Sequence, residues 1–380
     1  MSTPTRIAVI GSGYWGSKHV RVFHELPAAR LVMVADPSPG RLAHVERTYP
    51  DVPTTYDHND VLRSNDVEGV VIATPVSTHF RLAREALLAG KDVLVEKPLT
   101  DNAAEARELC LLADRLGRVL MVGHTFMYHP AVEYMKRLVA SGALGTIFYA
   151  DAARLNLGLF QRDTDVIWDL APHDLSILLY VLGDEPESIR ARGISHVGAR
   201  GQLDVAFLDL MFPGSMIGNI RVSWLDPCKV RRVTIVGSQK MAVFNDVSGE
   251  EKVRVYDRGV TIPHQTDDFS DFHLSYRYGD VTIPHIAAVE PLKVECEHFV
   301  QCIAERTTPR SDGWSAYQVV QLLEAAHQSL ALDGASVSCA APPRGAHGGP
   351  LADPDPVPAL NVPTVVVPLD NDAPDAVALD

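Results

Sequence analysis

The chain is short of the features that mark several large protein classes. Cysteine is scarce: five in 380 residues, at Cys110, Cys228, Cys296, Cys302 and Cys339, with no CxxC pair among them. Scattered singles in a long chain suit buried reduced thiols, and they exclude a disulfide framework or a structural zinc site. Positive charge is also short, with 34 Lys and Arg against 48 Asp and Glu and a formal net charge of -14. No stretch gathers the basic face that a phosphate backbone requires, so nucleic acid is not an expected partner. No apolar run reaches the roughly 18 residues of a membrane helix, and MSTPTR passes straight into a strand-like segment without a signal peptide. The expectation is a soluble, cytoplasmic protein.

What is present is apolar content, 46% of 380 residues, enough for two cores because a single core stops growing well below this length. From Arg6 to Tyr128 short β-branched runs (RIAVIGS, RLVMVADPS, GVVIATP, DVLVEKP, RVLMVGHTFMY) alternate with stretches such as HFRLAREALLAG that carry Leu and Ala at helical spacing and end at Gly. Nearly continuous apolar strands indicate a parallel sheet covered by helices on both faces, a doubly wound α/β pattern. Beyond HPAVEYMKRLVASGALG the texture changes. Strands are expected at 147–158, 188–197, 203–225, 230–247 and 251–260, with a hairpin at Phe-Pro-Gly-Ser, a helix opened by WDLAPHD, and two closing helical stretches. This predicts residues 1–125 as one domain and 126–339 as an α+β domain with a large, mainly antiparallel sheet. Residues 340–380, with nine prolines and six aspartates against one arginine, are expected to form a largely disordered tail.

Gly11-Ser12-Gly13-Tyr14-Trp15-Gly16 follows the strand RIAVI and precedes a helical stretch, and Asp36 ends the next strand. That context makes it a dinucleotide fingerprint: Gly11 for the tight turn, Gly13 for close approach of pyrophosphate, Gly16 for helix packing. The free N–H groups of the helix N-terminus would bind the anion. Asp36 can accept from both ribose hydroxyls and repels a 2'-phosphate, so NAD is favoured over NADP, although Arg41 lies within reach of such a phosphate. Tyr14 and Trp15 are placed to border the cofactor.

Two further strand ends face the crevice where ligands bind in open α/β sheets: Thr74-Pro75 with His79, and Glu96-Lys97-Pro98. In WDLAPHD, Asp169 and His173 stand one helical turn apart. Such a pair serves as a helix cap, with Pro172 in the first turn, as part of a metal clamp with His124 and His129, or as an acid/base couple. No metal is expected, because nothing supplies the remaining ligands of a zinc dehydrogenase. Histidine suits the base that takes a hydroxyl proton near neutral pH, and a lysine on the same oxygen stabilises developing negative charge.

GSGYWG, ATPVSTH, VEKPL and the D-x-x-x-H of WDLAPHD, in that order over residues 6 to about 335, resemble the glucose-fructose oxidoreductase, inositol dehydrogenase and rhizopine-catabolism family (Gfo/Idh/MocA). The resemblance implies a Rossmann domain followed by a substrate-binding and oligomerisation domain, and a catalytic group of Lys97, Asp169 and His173. It also implies a cis peptide before Pro98, as in some relatives. GHTFMYHPAV, ARLNLG and VIWDLAPHD look like the branch acting on nucleotide-linked or free amino sugars, with His124, Tyr128, Arg154, Asn156 and Arg162 as substrate contacts. Phe126-Met127-Tyr128 departs from the arginine that many relatives carry there, which disfavours anionic sugar acids. The expected reaction is oxidation at C3 of a nucleotide-linked sugar such as UDP-N-acetylglucosamine. A 3-keto-sugar reductase using NADPH, an inositol or free-sugar dehydrogenase, and a non-catalytic NAD-binding redox sensor are the alternatives. A homodimer or homotetramer is expected, since an uncovered sheet face needs a partner.

Overall fold

The computed structural model describes residues 3–158, 160–161, 164–197, 202–261 and 275–339; Arg162 and the tail from residue 340 lie outside them. The first sheet contains β1 (Thr5–Ile10), β2 (Ala29–Ala35), β3 (Thr54–Thr55), β4 (Gly69–Ile72), β5 (Asp92–Val95) and β6 (Leu120–Val122). They pair in the order β3-β2-β1-β4-β5-β6, every pair parallel. Ile7, Ala8, Val9, Val70, Val71, Val93 and Leu94 are completely buried, because helices pack on both sides. Among these helices are α1 (Tyr14–Glu25), α2 (Pro39–Thr48), α3 (His58–Arg63), α4 (His79–Leu88) and α5 (Ala103–Leu116). Asn102 caps α5 by accepting from the Glu105 N–H at 2.9 Å, and Gly117 ends it with φ +61°. The order reverses direction at the β1/β4 boundary, which opens a crevice beyond the strand ends.

Helix α6 (Pro130–Ala140) leads into β7 (Ile147–Leu157) and α7 (Val166–Leu182). The chain continues through β8 (Ser188–Ile194), β9 (Val205–Met211), β10 (Ile217–Ser223), β11 (Leu225–Gly237), β12 (Met241–Asn245), β13 (Val253–Thr261) and β14 (Ser275–Thr282). It closes with α8 (Pro291–Glu305), α9 (Gly313–Ala331) and β15 (Val337–Ser338). The second sheet has nine strands in the order β14-β13-β12-β11-β7-β10-β9-β8-β15. All its pairs are antiparallel except β7 with β10. The β9–β10 hairpin turns at Pro213–Ser215, where Gly214 takes φ +71°. Helices α6, α7 and α9 cover one face, packing Leu175, Leu178, Leu322 and Leu323 onto Ala152, Leu208 and Ile220.

Two features differ from the sequence expectation. Strand β14 was not anticipated, since its residues are almost all exposed and show no apolar alternation. Helix α8, grouped by sequence with the second region, belongs to the core of the first sheet: Leu292, Cys296, Phe299 and Val300 pack with Ile7, Val9 and Phe23. A Cβ on Gly69 would lie 2.8 Å from Ile303 and 3.2 Å from Phe299, so the approach of α8 to β4 depends on that glycine.

Candidate active site

The crevice is built from the carboxyl ends of β1, β4, β5 and β6 together with the first turns of α7. After β1 the chain turns at Gly11, with φ +92°. A side chain is impossible there, because its Cβ would sit 2.5 Å from the Ala73 carbonyl oxygen. Gly16 is equally constrained, its Cβ falling 1.9 Å from the Gly11 oxygen. At Gly13 the nearest atom to such a Cβ is an Arg41 nitrogen at 3.9 Å, and no side chain caps the N-terminus of α1. Free N–H groups facing open space form a cradle that fits a pyrophosphate.

Asp36, at the tip of β2, is buried and fixed: Oδ2 accepts from the Ser12 N–H at 2.7 Å and Oδ1 from the Ser38 N–H at 2.8 Å. Arg41 Nη1 stands 3.5 Å from Oδ2 on an exposed side chain. Replacing Asp36 by alanine is expected to weaken NADH binding about 10–100-fold, the worth of hydrogen bonds to a charged group, while freeing Arg41 to favour NADPH. Fluorescence titration of both reduced cofactors measures the switch. Tyr14 and Trp15 are exposed at the start of α1, edge to face at 5.6 Å, with Lys18 Nζ 4.5 Å from the Tyr14 ring centre.

His79, expected beside the cofactor, is instead buried, with Nδ1 2.8 Å from the Pro98 carbonyl oxygen and Nε2 2.8 Å from that of Thr74. It stands between the loops that follow β4 and β5. Pro75 begins a single 3-10 turn, and the Thr74 hydroxyl bonds that of Thr78 at 2.7 Å. The Lys97–Pro98 peptide is cis.

Lys97 Nζ donates to the backbone carbonyl of Asp169 at 2.7 Å and lies 3.5 Å from its Oδ1. The other carboxylate oxygen of Asp169 accepts from Trp224 Nε1 at 3.1 Å. One turn on, the imidazole of His173 makes no hydrogen bond with the described residues, and its Nδ1 is shielded. Its ring meets Phe126 edge to face at 5.4 Å. Burial pushes the His173 pKa well below its usual value, and Lys97, Arg154, His124 and Arg231 add to the effect, so the ring is neutral with a free lone pair.

His124 is buried with neither nitrogen partnered among the described residues, and burial followed by the Lys97 charge lowers its pKa to about 4. An unfolded chain takes up a proton near pH 6.5 that native His124 refuses. The native state is therefore penalised as pH falls from 6.5 towards about 4, by about 3 kcal/mol at the lower end. Urea midpoints across that range should fall more steeply for the parent protein than for His124→Phe.

Several other placements differ from expectation. Asp165, not Asp169, caps α7, its Oδ1 accepting from the N–H groups of Ile167 and Trp168 at 3.0 and 3.1 Å. Helix α7 therefore starts three residues before Asp169, and Pro172 lies in its interior rather than its first turn. Arg154 is not free for substrate through its whole guanidinium: Nε and Nη2 grip Asp174 at 2.7 and 3.2 Å, both side chains buried, with the guanidinium 4.5 Å from the Phe126 ring centre. Removing one partner of such a pair strands the other charge, so Asp174→Ala should cost about 3–5 kcal/mol in urea unfolding. Tyr128 is buried, its hydroxyl bonded to that of Ser311 at 2.9 Å, and so does not reach the crevice. Asn156 stays beside Trp224 at the end of β7, since a Cβ on Gly158 would lie 3.0 Å from a side-chain atom of each. Arg162 lies outside the described residues. Trp224, Arg231 and Asp174 were missed; only Asp174, inside WDLAPHD, carried a local signal.

A Rossmann sheet with this glycine cradle, the carboxylate of Asp36 and an open crevice defines an NAD-dependent oxidoreductase. Residues 5–124 match the model of the oxidoreductase family with an NAD-binding Rossmann fold, and residues 132–243 match the GFO/IDH/MocA C-terminal domain. The chain belongs to the Gfo/Idh/MocA family. It is 29% identical over 325 residues to UDP-N-acetylglucosamine 3-dehydrogenase of Acidithiobacillus ferrooxidans, covering 83% of this chain and 94% of that protein. It is 25% identical over 320 residues to scyllo-inositol 2-dehydrogenase (NAD(+)) of Bacillus subtilis, covering 81% and 89%. A solved structure of the Acidithiobacillus ferrooxidans enzyme superposes with a TM-score of 0.70 at 28% identity, covering 87% of this chain and 98% of that one.

Proposed function

We propose that the protein oxidises a secondary alcohol of a sugar, with C3 of a nucleotide-linked amino sugar such as UDP-N-acetylglucosamine as its substrate. The observation that carries the reaction type is the pairing of an unbonded, neutral His173 with a Lys97 ammonium held on the Asp169 carbonyl. His173 takes the hydroxyl proton, and Lys97 donates a hydrogen bond to the same oxygen as charge develops on it. Asp169, held by Trp224, keeps Lys97 in place and offers a carboxylate to a neighbouring sugar hydroxyl. Bound NAD supplies the hydride acceptor, in the cradle of Gly11, Gly13, Gly16 and Asp36. Reduction of a 3-keto sugar uses the same groups in reverse.

The nucleotide-sugar assignment rests on the similarity to UDP-N-acetylglucosamine 3-dehydrogenase across both domains. The likeness to an inositol dehydrogenase keeps a free polyol as the competing substrate. Absorbance of NADH, followed with UDP-N-acetylglucosamine, UDP-glucose, dTDP-glucose, free amino sugars, and myo- and scyllo-inositol, decides among these. Turnover of inositols alone rejects the nucleotide sugar. NADH binding with no turnover of any alcohol, and none of the 3-keto sugars with NADH, favours a redox sensor.

The face of the second sheet that no described helix covers supports a homodimer or homotetramer. Tyr149, Ile217 and Met211 are neighbours in one cross-strand row and are 46%, 47% and 38% exposed. Sedimentation of the purified chain tests this assembly. No helix among the described residues is long and apolar enough to cross a membrane, which agrees with the proposed cytoplasmic location.

A further inference from the structure

Beneath Lys97 runs a line of buried polar groups that the proposed chemistry does not use. The backbone N–H of Lys97 donates to Oε2 of Glu96 at 3.2 Å. Oε1 of Glu96 lies 2.8 Å from Nε2 of His19 on α1, and Nδ1 of His19 lies 3.5 Å from Sγ of Cys296 on α8. All three side chains are buried. A Cβ on Gly123 would come within 3.1 Å of Oε2 of Glu96, so the carboxylate also has a fitted wall.

Protonation sets the direction of these bonds. Burial raises the Glu96 pKa, but the hydrogen bond and charge of His19 and the charge of Lys97 outweigh it and hold the group below the usual carboxylate range. Burial, then Glu295 and Glu96, pushes the Cys296 thiol well up, so it keeps its proton. An ionised Glu96 only accepts, so Nε2 of His19 carries the proton between them, and the Cys296 thiol stands against the other ring nitrogen. Glu295, also buried, is raised by burial and by the Glu96 charge against a hydrogen bond from the Thr125 side chain; as a neutral acid it does not compete as an anion.

We infer that His19 and Glu96 are positioning residues, through which α1 and α8 hold the backbone of Lys97 so that its ammonium meets the substrate oxygen. The inference rests on the reading of Lys97 as catalytic. It ties the helix that would receive the pyrophosphate to the residue that handles the substrate. A buried His–Glu pair of purely structural value would give the same fold, so the test must separate the two.

His19→Leu removes the donor to Glu96, and His19→Gln keeps an N–H near the same place. Both, with Glu96→Gln, are made in the parent protein and in Lys97→Ala. His19→Leu should lower kcat about 10–100-fold, as small misplacements of reacting groups do, with the Kd of NADH changed less than about twofold. His19→Gln should restore kcat to within about threefold of the parent. In the Lys97→Ala background His19→Leu should have no further effect. Equal fold-losses in both backgrounds, an unchanged kcat, or a loss of NADH binding in step with activity overturns the inference. If His19→Leu does not fold, Glu96→Gln and His19→Gln carry the comparison: Glu96→Gln must lower kcat in the parent and not in Lys97→Ala.

A second measurement needs no sugar. Pyridoxal phosphate with borohydride labels accessible lysines, and peptide mass spectrometry reads the rate at Lys97. That rate should change in His19→Leu and not in His19→Gln; an unchanged rate in both rejects the inference even if no substrate is found. Full turnover by Lys97→Ala alone would instead reject the acid/base reading.

Discussion

Replacing His173 by alanine is expected to lower kcat/KM about 10²–10⁴-fold, the range for loss of a general base, while NADH binds as in the parent. The pH profile of the parent supplies an independent reading. Burial, reinforced by Lys97 and Arg154, depresses the His173 pKa, so the ring remains an unprotonated base below pH 6.5. The acid limb of kcat/KM should accordingly lie below that value and be absent from the residual activity of His173→Ala. Where a variant retains measurable turnover, removing the Lys97 charge should move the limb upwards towards 6.5. Undiminished turnover by His173→Ala, with normal cofactor binding, would assign the base elsewhere.

Lys97→Met should cost about 10²–10³-fold in kcat, the usual loss when one donor to a developing oxyanion is removed. KM for the sugar should change far less, because the interaction is strongest as charge develops. Lys97→Arg is not expected to rescue. Nζ is a compact donor 2.7 Å from the Asp169 carbonyl, and a planar guanidinium on a stem of different length does not occupy the same point. Single-turnover kinetics, which separate chemistry from product release, measure the loss. A Lys97→Met enzyme whose main defect is in KM would make Lys97 a binding residue instead.

The strands of the first sheet were legible because helices bury both faces, and burial on both faces writes itself as unbroken apolar runs such as RIAVI and DVLVEK. Strand β14 was not, since exposure on both faces removes the alternation on which detection depends. The start of α7 was misplaced for a local reason. Asp165 and Asp169 are one turn apart, both precede apolar residues, and only the bonds from Ile167 and Trp168 to Asp165 distinguish cap from first turn. The two histidines of ATPVSTH and VGHT look alike in sequence. His79 is engaged with the carbonyls of Thr74 and Pro98 while His124 finds no partner among the described residues, a difference made by how the loops after β4 and β5 fold around each ring.

The sequence by itself determined the class of protein: a doubly wound NAD-binding domain followed by a mainly antiparallel one. It also determined that Lys97, Asp169 and His173 are the residues to examine. The class rests on periodicity and on glycine and carboxylate spacing, which act over a few residues and survive in one dimension; the three residues rest on the resemblance of VEKPL and WDLAPHD to the Gfo/Idh/MocA family. Only the tertiary structure decided that Arg154 is held by Asp174, that Tyr128 turns to Ser311, that Trp224 secures Asp169, and that α8 returns to the first sheet. Each of those contacts joins residues whose pairing depends on the packed fold, where burial makes an unpartnered charge costly and so selects which neighbour each polar group must find.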